Sequence, residues 1–342
     1  MMNCSVVGAT GYTGIELIKI LLRHPQVNIA GLTTRQKESL PVRKLIPSLP
    51  QDVNLEVREY SFEEIRKKSD IVFLCLPHTE AMETADRFRK AGKIVIDLSA
   101  DFRLKDFKKY EKWYDKKHTN RSLLKEAVYG LPEWYSEKIK KADLIANPGC
   151  YPTSINLALM PLLKENLLEL DSICIDSKSG VSGAGKKLSA GTQFCEAGEN
   201  FSAYKVARHQ HTPEIEQVLS DAAGKKVGVT FVPHLLPVDR GILSTMYSRV
   251  KKRVSAEKIT AAYKKHYKIA PFIRFKGENS FPSLHDVQRT NYCDIGFCLD
   301  QENERLIVIS AIDNLIKGAS GQAVQNMNIR AGFAEDEGLK TW

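Results

Sequence analysis

A two-domain α/β protein is what this sequence predicts, and three observations carry the prediction. Strand-like and helix-like segments alternate from the first residues, the pattern of a parallel sheet wrapped by helices. Past residue 151 the strands lengthen and follow one another, which reads as an α+β domain with a largely antiparallel sheet. The 342-residue length accommodates two domains of ordinary size, and Pro148-Gly149 breaks the chain between them.

The elements follow in order. Cys4-Ser5-Val6-Val7 lies in a strand near 3–7; Ile15, Ile18, Leu21 and Leu22 share one face of a helix near 13–23; a strand near 27–33 completes an opening βαβ unit. Apolar runs at 70–76 and 93–97 read as buried strands around a helical segment at 79–91, and Asp143 to Ala146 as a short last strand. A long helix starts at about 151, with Ile155, Leu157, Leu159, Leu162 and Leu163 as its apolar residues. Strands are expected near 172–178, 227–233, 242–250, 292–299 and 305–312, and a closing helix over 314–330.

Composition narrows the function classes. Hydrophobic residues at 43% and charged residues at 27% are the balance of a soluble globular chain. The longest apolar runs, such as Ile71 to Leu76, fall far short of the ~18 residues of a membrane-spanning helix. The first residues lead directly into a strand without the features of a secretory signal, so a cytoplasmic location is expected. The net charge of +9 is spread over small clusters such as Lys108-Lys109 and Lys251-Lys252-Arg253, mostly with acidic neighbours. Solvated faces explain those clusters better than nucleic acid does, and the charge favours an anionic substrate. Seven scattered cysteines without a C-x-x-C pair argue against a disulfide framework and against a zinc ribbon.

Gly8-Ala9-Thr10-Gly11-Tyr12-Thr13-Gly14 follows the first strand and opens the first helix. Such a glycine loop lets a pyrophosphate approach helix N–H groups, so the first domain reads as a Rossmann-type dinucleotide-binding domain. Gly8, Thr10, Gly11, Tyr12, Thr13 and Gly14 are its expected contacts. An NAD-selective site would carry an acidic residue ~20 positions on. This chain has Thr33-Thr34-Arg35 there. Thr33 and Arg35 suit a 2′-phosphate, and NADPH/NADP is the expected cofactor.

Asn147-Pro148-Gly149-Cys150-Tyr151-Pro152-Thr153 ends the last strand of the first half and starts a long helix. Cys150 therefore stands at a helix N-terminus, where the dipole and N–H groups stabilise a thiolate. The other six cysteines lie in strands or lack a helix-start signal. Two of eight histidines stand together in Arg208-His209-Gln210-His211-Thr212-Pro213-Glu214, with Thr212 read as N-cap and Pro213 as first helical residue. On an extended segment His209 and His211 point the same way, one toward Cys150 and the other toward the cofactor or a carboxylate such as Glu214. A surface H-x-H or a metal pair is the competing reading. No third His or Cys ligand stands at a helpful spacing, and no metal is expected. Because His211 directly precedes the helix start, His209 is the expected acid–base residue.

Nine segments carry a family likeness: GATGYTG at 8–14, CLPH at 75–78, DLSADFR at 97–103, YGLPE at 129–133, NPGCYPT at 147–153, SGVSGAG at 179–185, RHQHTPEIEQ at 208–217, HLLPVDRGI at 234–242 and NLIKGASGQAVQNMN at 314–328. In this order they resemble the N-acetyl-gamma-glutamyl-phosphate reductases of the aspartate-semialdehyde dehydrogenase-like group, over essentially the whole chain. The resemblance implies a Rossmann domain over 1–149, completed by a closing helix within 314–342, and a catalytic and oligomerisation domain over 150–313. It implies NADPH-dependent reduction of N-acetyl-gamma-glutamyl phosphate to the semialdehyde, with release of phosphate, in arginine biosynthesis. Cys150 matches the family's nucleophile, and His209 with His211 its histidine pair.

Pro77, Ser99, Ser182, Gly183, Asn314, Lys317 and Gly318 are implied at the cofactor. Arg103, Asn147 and Arg240, with Ser99 nearby, are implied at the substrate anion. A homodimer or homotetramer is implied, and acetylglutamate kinase or an acidic carrier protein is a further candidate partner. Gln210 departs from the family, where arginine is frequent. The competing functions are the same chemistry on a carrier-linked glutamyl or aminoadipyl phosphate, and a non-catalytic NADP-binding regulator. Aspartate-semialdehyde dehydrogenase fits less well, since its nucleophile segment usually reads Asn-Cys.

Overall fold

The structure, a computed structural model, describes residues 1–340. It divides into two compact units, one of Met1–Pro148 with the segment from Ala319 on, the other Gly149–Gly318. The two-part α/β class read from the sequence is the one found.

The first unit runs β1 (Met2–Val7), α1 (Tyr12–Leu21), β2 (Val27–Thr34), β3 (Leu40–Pro41), α2 (Val42–Leu45), β4 (Glu56–Glu59), α3 (Phe62–Lys68), β5 (Ile71–Leu74), α4 (Met82–Lys90), β6 (Ile94–Asp97), α5 (Phe107–Tyr114), α6 (Arg121–Glu126), β7 (Val128–Tyr129), α7 (Pro132–Ile139) and β8 (Leu144–Ala146). Its sheet has the order β3-β4-β2-β1-β5-β6-β8-β7 and is parallel except where β3 meets β4. Strands such as Ile71–Leu74 are buried throughout, as a sheet covered on both faces requires. From β1 the chain first steps to β2 on one side and later to β5 on the other, which makes the carboxyl ends of β1 and β5 the switch point where such sheets bind ligands. A closing helix, Gly321–Ala331, packs in this unit: Asn326 donates to Gly130 O, Arg330 to Ala142 O and Asp143, and Ser320 Oγ to Thr13 O.

Asp97, at the end of β6, is fully buried. Burial first, then the neighbouring Asp101, pushes its carboxyl up to about 7. In the unfolded chain it titrates at about 3.9. Between those values the folded state holds the extra proton, so this group's contribution to stability falls as pH rises from about 4 to about 7. Asp97→Asn should therefore gain on the parent in urea midpoint as pH rises from 5 to 8. A difference between the two that does not change with pH would reject the shifted carboxyl.

The second unit runs α8 (Cys150–Lys164), β9 (Cys174–Gly180), α9 (Phe194–Ala197), β10 (Ser202–Ala203), α10 (Thr212–Ala223), β11 (Thr230–Leu236), β12 (Ile242–Arg249), α11 (Ala256–Tyr267), β13 (Ile273–Glu278), β14 (Cys293–Asp300) and β15 (Arg305–Ile312). The sheet order is β10-β11-β9-β12-β15-β14-β13. It is antiparallel except where β11 meets β9 and β13 meets β14. Helix α8 lies against β12 and β15 and packs on α10 and α11. Pro161 inside α8 has no N–H for the Leu157 carbonyl one turn back. Tyr267 supplies the replacement, donating its hydroxyl to Leu157 O at 2.5 Å, while Tyr263 donates to Ala158 O at 2.7 Å. The helix carrying Cys150 is thereby tied to α11 despite its proline. Among the described residues no helix is long and apolar enough to cross a membrane.

Candidate active site

The glycine loop has three separate jobs. Gly8 adopts φ +90°, and a Cβ there would lie 2.4 Å from Cys75 O, so the turn out of β1 admits only glycine. A Cβ on Gly14 would lie 2.7 Å from Gly8 O, which packs α1 against the loop. A Cβ on Gly11 would meet nothing closer than Gly8 O at 3.8 Å, leaving room for a pyrophosphate's close approach. Gly11 caps α1 without a side-chain hydrogen bond, no acidic residue stands in the first turn, and Tyr12 and Thr13 begin the helix. These residues fit a dinucleotide's phosphates.

Beside the loop, Thr33 O accepts the N–H groups of Gly8 and Ala9, and the Thr33 hydroxyl is buried without a hydrogen-bond partner. Arg35 is exposed and ion-paired with Glu80. Pro77 is exposed just beyond β5.

Three residues expected at the cofactor or substrate make internal hydrogen bonds. Ser99 is fully buried; its hydroxyl donates to Asp97 Oδ2 at 2.7 Å and accepts Asp101 N–H at 3.1 Å. Arg103 donates through Nε to Asn147 O at 2.7 Å and through Nη2 to Leu98 O at 2.8 Å. It braces the carboxyl ends of β6 and β8. The Asn147 amide donates to Ala319 O and accepts from Asn326 Nδ2.

In the second unit Cys150 is half-buried at the first position of α8, whose cap Gly149 makes no side-chain hydrogen bond and whose first turn holds no acidic residue. That setting favours a thiolate. A Cβ on Gly318 would sit 2.8 Å from Cys150 Cβ, so only glycine lets this segment approach Cys150. Glu214, buried in the first turn of α10, accepts Gly149 N–H at 2.9 Å and so links α10 to the start of α8. Cys195, expected to lack a helix start, lies in the four-residue α9, exposed and too short for a developed dipole.

His209 and His211 are both nearly buried, with ring centroids 4.8 Å apart. The segment is a turn, with Thr212 N–H donating to His209 O, and His211 is itself the N-cap, one residue earlier than the sequence suggested. His211 N–H donates to His209 Nδ1 at 3.1 Å. Tyr151, Tyr204 and Phe231 present edges around the His209 ring. The Tyr151 and Tyr204 hydroxyls lie 3.0 Å apart. Burial pushes Tyr204 up to about 12 and raises Tyr151 as well, with the Cys150 charge adding to both. Both phenols are neutral, and neither was singled out from the sequence except as part of a motif.

Ser182, Gly183 and Asn314 come together: Asn314 donates to Ser182 Oγ at 3.0 Å and accepts Gly241 N–H at 2.7 Å, and a Cβ on Gly183 would lie 3.0 Å from Ser179 Oγ. Arg240 is buried, with Nη1 3.4 Å from Asp313. Asp313 also accepts the N–H groups of Arg289, Leu315 and Ile316, shaping the turn that brings Gly318 to Cys150. Its role was not legible beforehand. Lys317 is fully buried with its ammonium 5.7 Å from the centre of the Phe272 ring, so its side chain belongs to the interior rather than to an open cofactor contact.

Comparison with known proteins places these features. Residues 3–142 match the model of the semialdehyde dehydrogenase NAD binding domain, and residues 150–314 that of the semialdehyde dehydrogenase dimerisation domain. The chain is 53% identical to the N-acetyl-gamma-glutamyl-phosphate reductase of Pelotomaculum thermopropionicum, covering 99% of this chain and 97% of that one. It is 48% identical to the reductase of that name from Desulfotalea psychrophila, covering 99% and 98%. In fold it is similar to aspartate semialdehyde dehydrogenase II from Vibrio cholerae, with a TM-score of 0.73, 18% identity, and coverage of 97% of this chain and 99% of that one. With both units matched in order and the full length aligned at about half identity, the chain belongs to the semialdehyde dehydrogenase family and, within it, to the N-acetyl-gamma-glutamyl-phosphate reductases.

Proposed function

We propose that this enzyme reduces N-acetyl-gamma-glutamyl phosphate to N-acetylglutamate semialdehyde in arginine biosynthesis, with NADPH as reductant. The observation that carries the reading is Cys150 at the uncapped start of α8, in a chain about half identical to reductases of that name. The Cys150 thiolate forms a bond to the γ-acyl carbon, and phosphate leaves with the electron pair of the broken C–O bond. The product of this step is a thioester on Cys150. NADPH, when bound, supplies the hydride that reduces the thioester carbonyl. The N–H groups at the start of α8 stabilise the oxyanion on the Cys150 adduct. A histidine gives its proton to the adduct oxygen and takes it back as the adduct collapses, which releases the aldehyde and returns the thiolate.

For that proton we assign His211 rather than His209, because the Nδ1 of His209 already accepts a backbone N–H. Arg240, whose guanidinium is buried and ion-paired with Asp313, is kept at the substrate anion on the family motif alone. A cytoplasmic homodimer, or a pair of such dimers, is the assembly we favour, supported by the dimerisation-domain match.

The test is NADP⁺ reduction with N-acetylglutamate semialdehyde, run with and without inorganic phosphate. Turnover should require phosphate, since only acyl-phosphate chemistry consumes it. Equal rates in its absence would overturn the reading. A kcat/KM higher by more than tenfold for a carrier-linked semialdehyde would instead move the substrate to the carrier-bound alternative.

A further inference from the structure

Arg35 and Glu80 form an ion pair that joins the ends of two strands not adjacent in the sheet. Arg35 follows β2 and Glu80 follows β5, and these strands flank β1, whose own carboxyl end opens the glycine loop. The pair therefore connects the segments on either side of the first-unit switch point, where a dinucleotide's adenosine end is expected. An exposed ion pair of this kind is worth little to stability, about 0–1 kcal/mol.

The backbone around Glu80 is held far more firmly than such a pair requires. Thr79 N–H donates to Asp101 Oδ1 at 2.6 Å and Ala81 N–H to Asp101 Oδ2 at 2.8 Å, so one carboxylate grips the peptide on both sides of Glu80. Asp101 is itself fully buried and accepts the Tyr110 hydroxyl at 2.8 Å. His78 adds a third tie, its Nδ1 accepting Ala100 N–H at 3.1 Å. Thr79 adopts φ +73°, a conformation a β-branched residue takes only when its surroundings impose it. Glu80 is thus presented by a strained, pinned loop toward the arginine of β2.

We propose that Glu80 is a specificity-determining residue, whose carboxylate competes with the cofactor 2′-phosphate for Arg35 and so limits the preference for NADPH over NADH. The proposal rests on reading Arg35 as the 2′-phosphate partner. A lone guanidinium meets a 2′-phosphate with its full charge; a guanidinium already paired offers nearly none, and the carboxylate repels the incoming dianion. Toward NADH the same carboxylate is harmless or helpful, since an acidic side chain accepts a ribose 2′-hydroxyl.

The experiment is direct fluorescence titration of NADPH and NADH against the parent, Glu80→Gln, Glu80→Asp and Arg35→Ala, with thermal midpoints to confirm folding. Glu80→Gln should tighten NADPH by roughly three- to fivefold at low salt, the upper scale of one exposed charge interaction, while NADH changes less than about twofold. The gain should shrink in 0.5 M KCl, as about a Debye length of 4–5 Å screens it. Glu80→Asp should keep the parental NADPH/NADH ratio. Weakened, unchanged or equally tightened binding of both cofactors in Glu80→Gln would overturn the proposal. Arg35→Ala separates the two levels: if it leaves the ratio unchanged, the 2′-phosphate reading of Arg35 fails. If it lowers the ratio while Glu80→Gln has no NADPH-specific effect, only the role of Glu80 fails.

Discussion

Cys150→Ser should retain parental NADPH affinity and lose turnover by at least about 10⁴-fold, the scale seen when a catalytic nucleophile is removed. The two side chains are nearly isosteric, so α8 and its neighbours should keep their places. What changes is the acid. The N–H groups at the start of α8 favour the thiolate over the thiol, and a serine hydroxyl is too weak an acid for them to ionise. The parent should show one rapidly alkylated cysteine, with a pH midpoint below the ~8.5 of a free thiol. That cysteine should be protected by substrate and missing in the variant. Cys174 and Cys195 are exposed and provide the internal comparison, since one lies in a strand and the other in a four-residue helix. Substantial turnover by Cys150→Ser would remove the thioester step from the mechanism.

The sequence was informative where local pattern and buried environment coincide. Ile71–Leu74 and Ile94–Asp97 are continuous apolar runs because their strands are covered on both faces, and both were visible. Glu56–Glu59 buries only Val57, so β4 gives no periodic signal although it extends the sheet. In β13, Gly277 at φ +93° and a register shift between Phe275 and Gly277 break the alternation that would have marked an edge strand.

The site divides in the same way. Cys150 and the glycine loop were legible because their chemistry depends on immediate neighbours. Ser99, Arg103 and Asn147 were located by motif, but the internal hydrogen bonds each of them makes were not visible. Asp97 and Leu98 lie within five residues of Ser99 and Arg103, but the pairing of Arg103 with Asn147 O and of Asn147 with Asn326 comes from the register of β6 with β8 and from the closing helix, which no local spacing encodes. Lys317, placed at the cofactor by resemblance, is a similar case: only the packing around Phe272 reveals that it is buried.

His211→Asn should lower kcat by roughly 100-fold or more, the usual scale for an acid–base group, with NADPH affinity nearly intact. The reason lies in one hydrogen bond. His209 Nδ1 accepts the backbone N–H of His211, so in its neutral form the His209 ring carries its proton on Nε2. Protonating Nδ1 would set two N–H donors against each other, and a neutral imidazole already protonated on Nε2 can take no proton from a thiol through that atom. Edges from Tyr151, Tyr204 and Phe231 further fix the ring. His209 is thereby suited to hold the turn and donate a hydrogen bond, while the His211 ring does not have its tautomer fixed by that bond. In His209→Asn the amide oxygen can still accept the His211 N–H, so the loss should stay within about tenfold, and the near-neutral limb of the pH–rate profile should survive. In His211→Asn that limb should disappear. The opposite pattern, with the limb lost in the His209 variant and kept in the His211 variant, would return the proton to His209 while leaving the thiolate step in place.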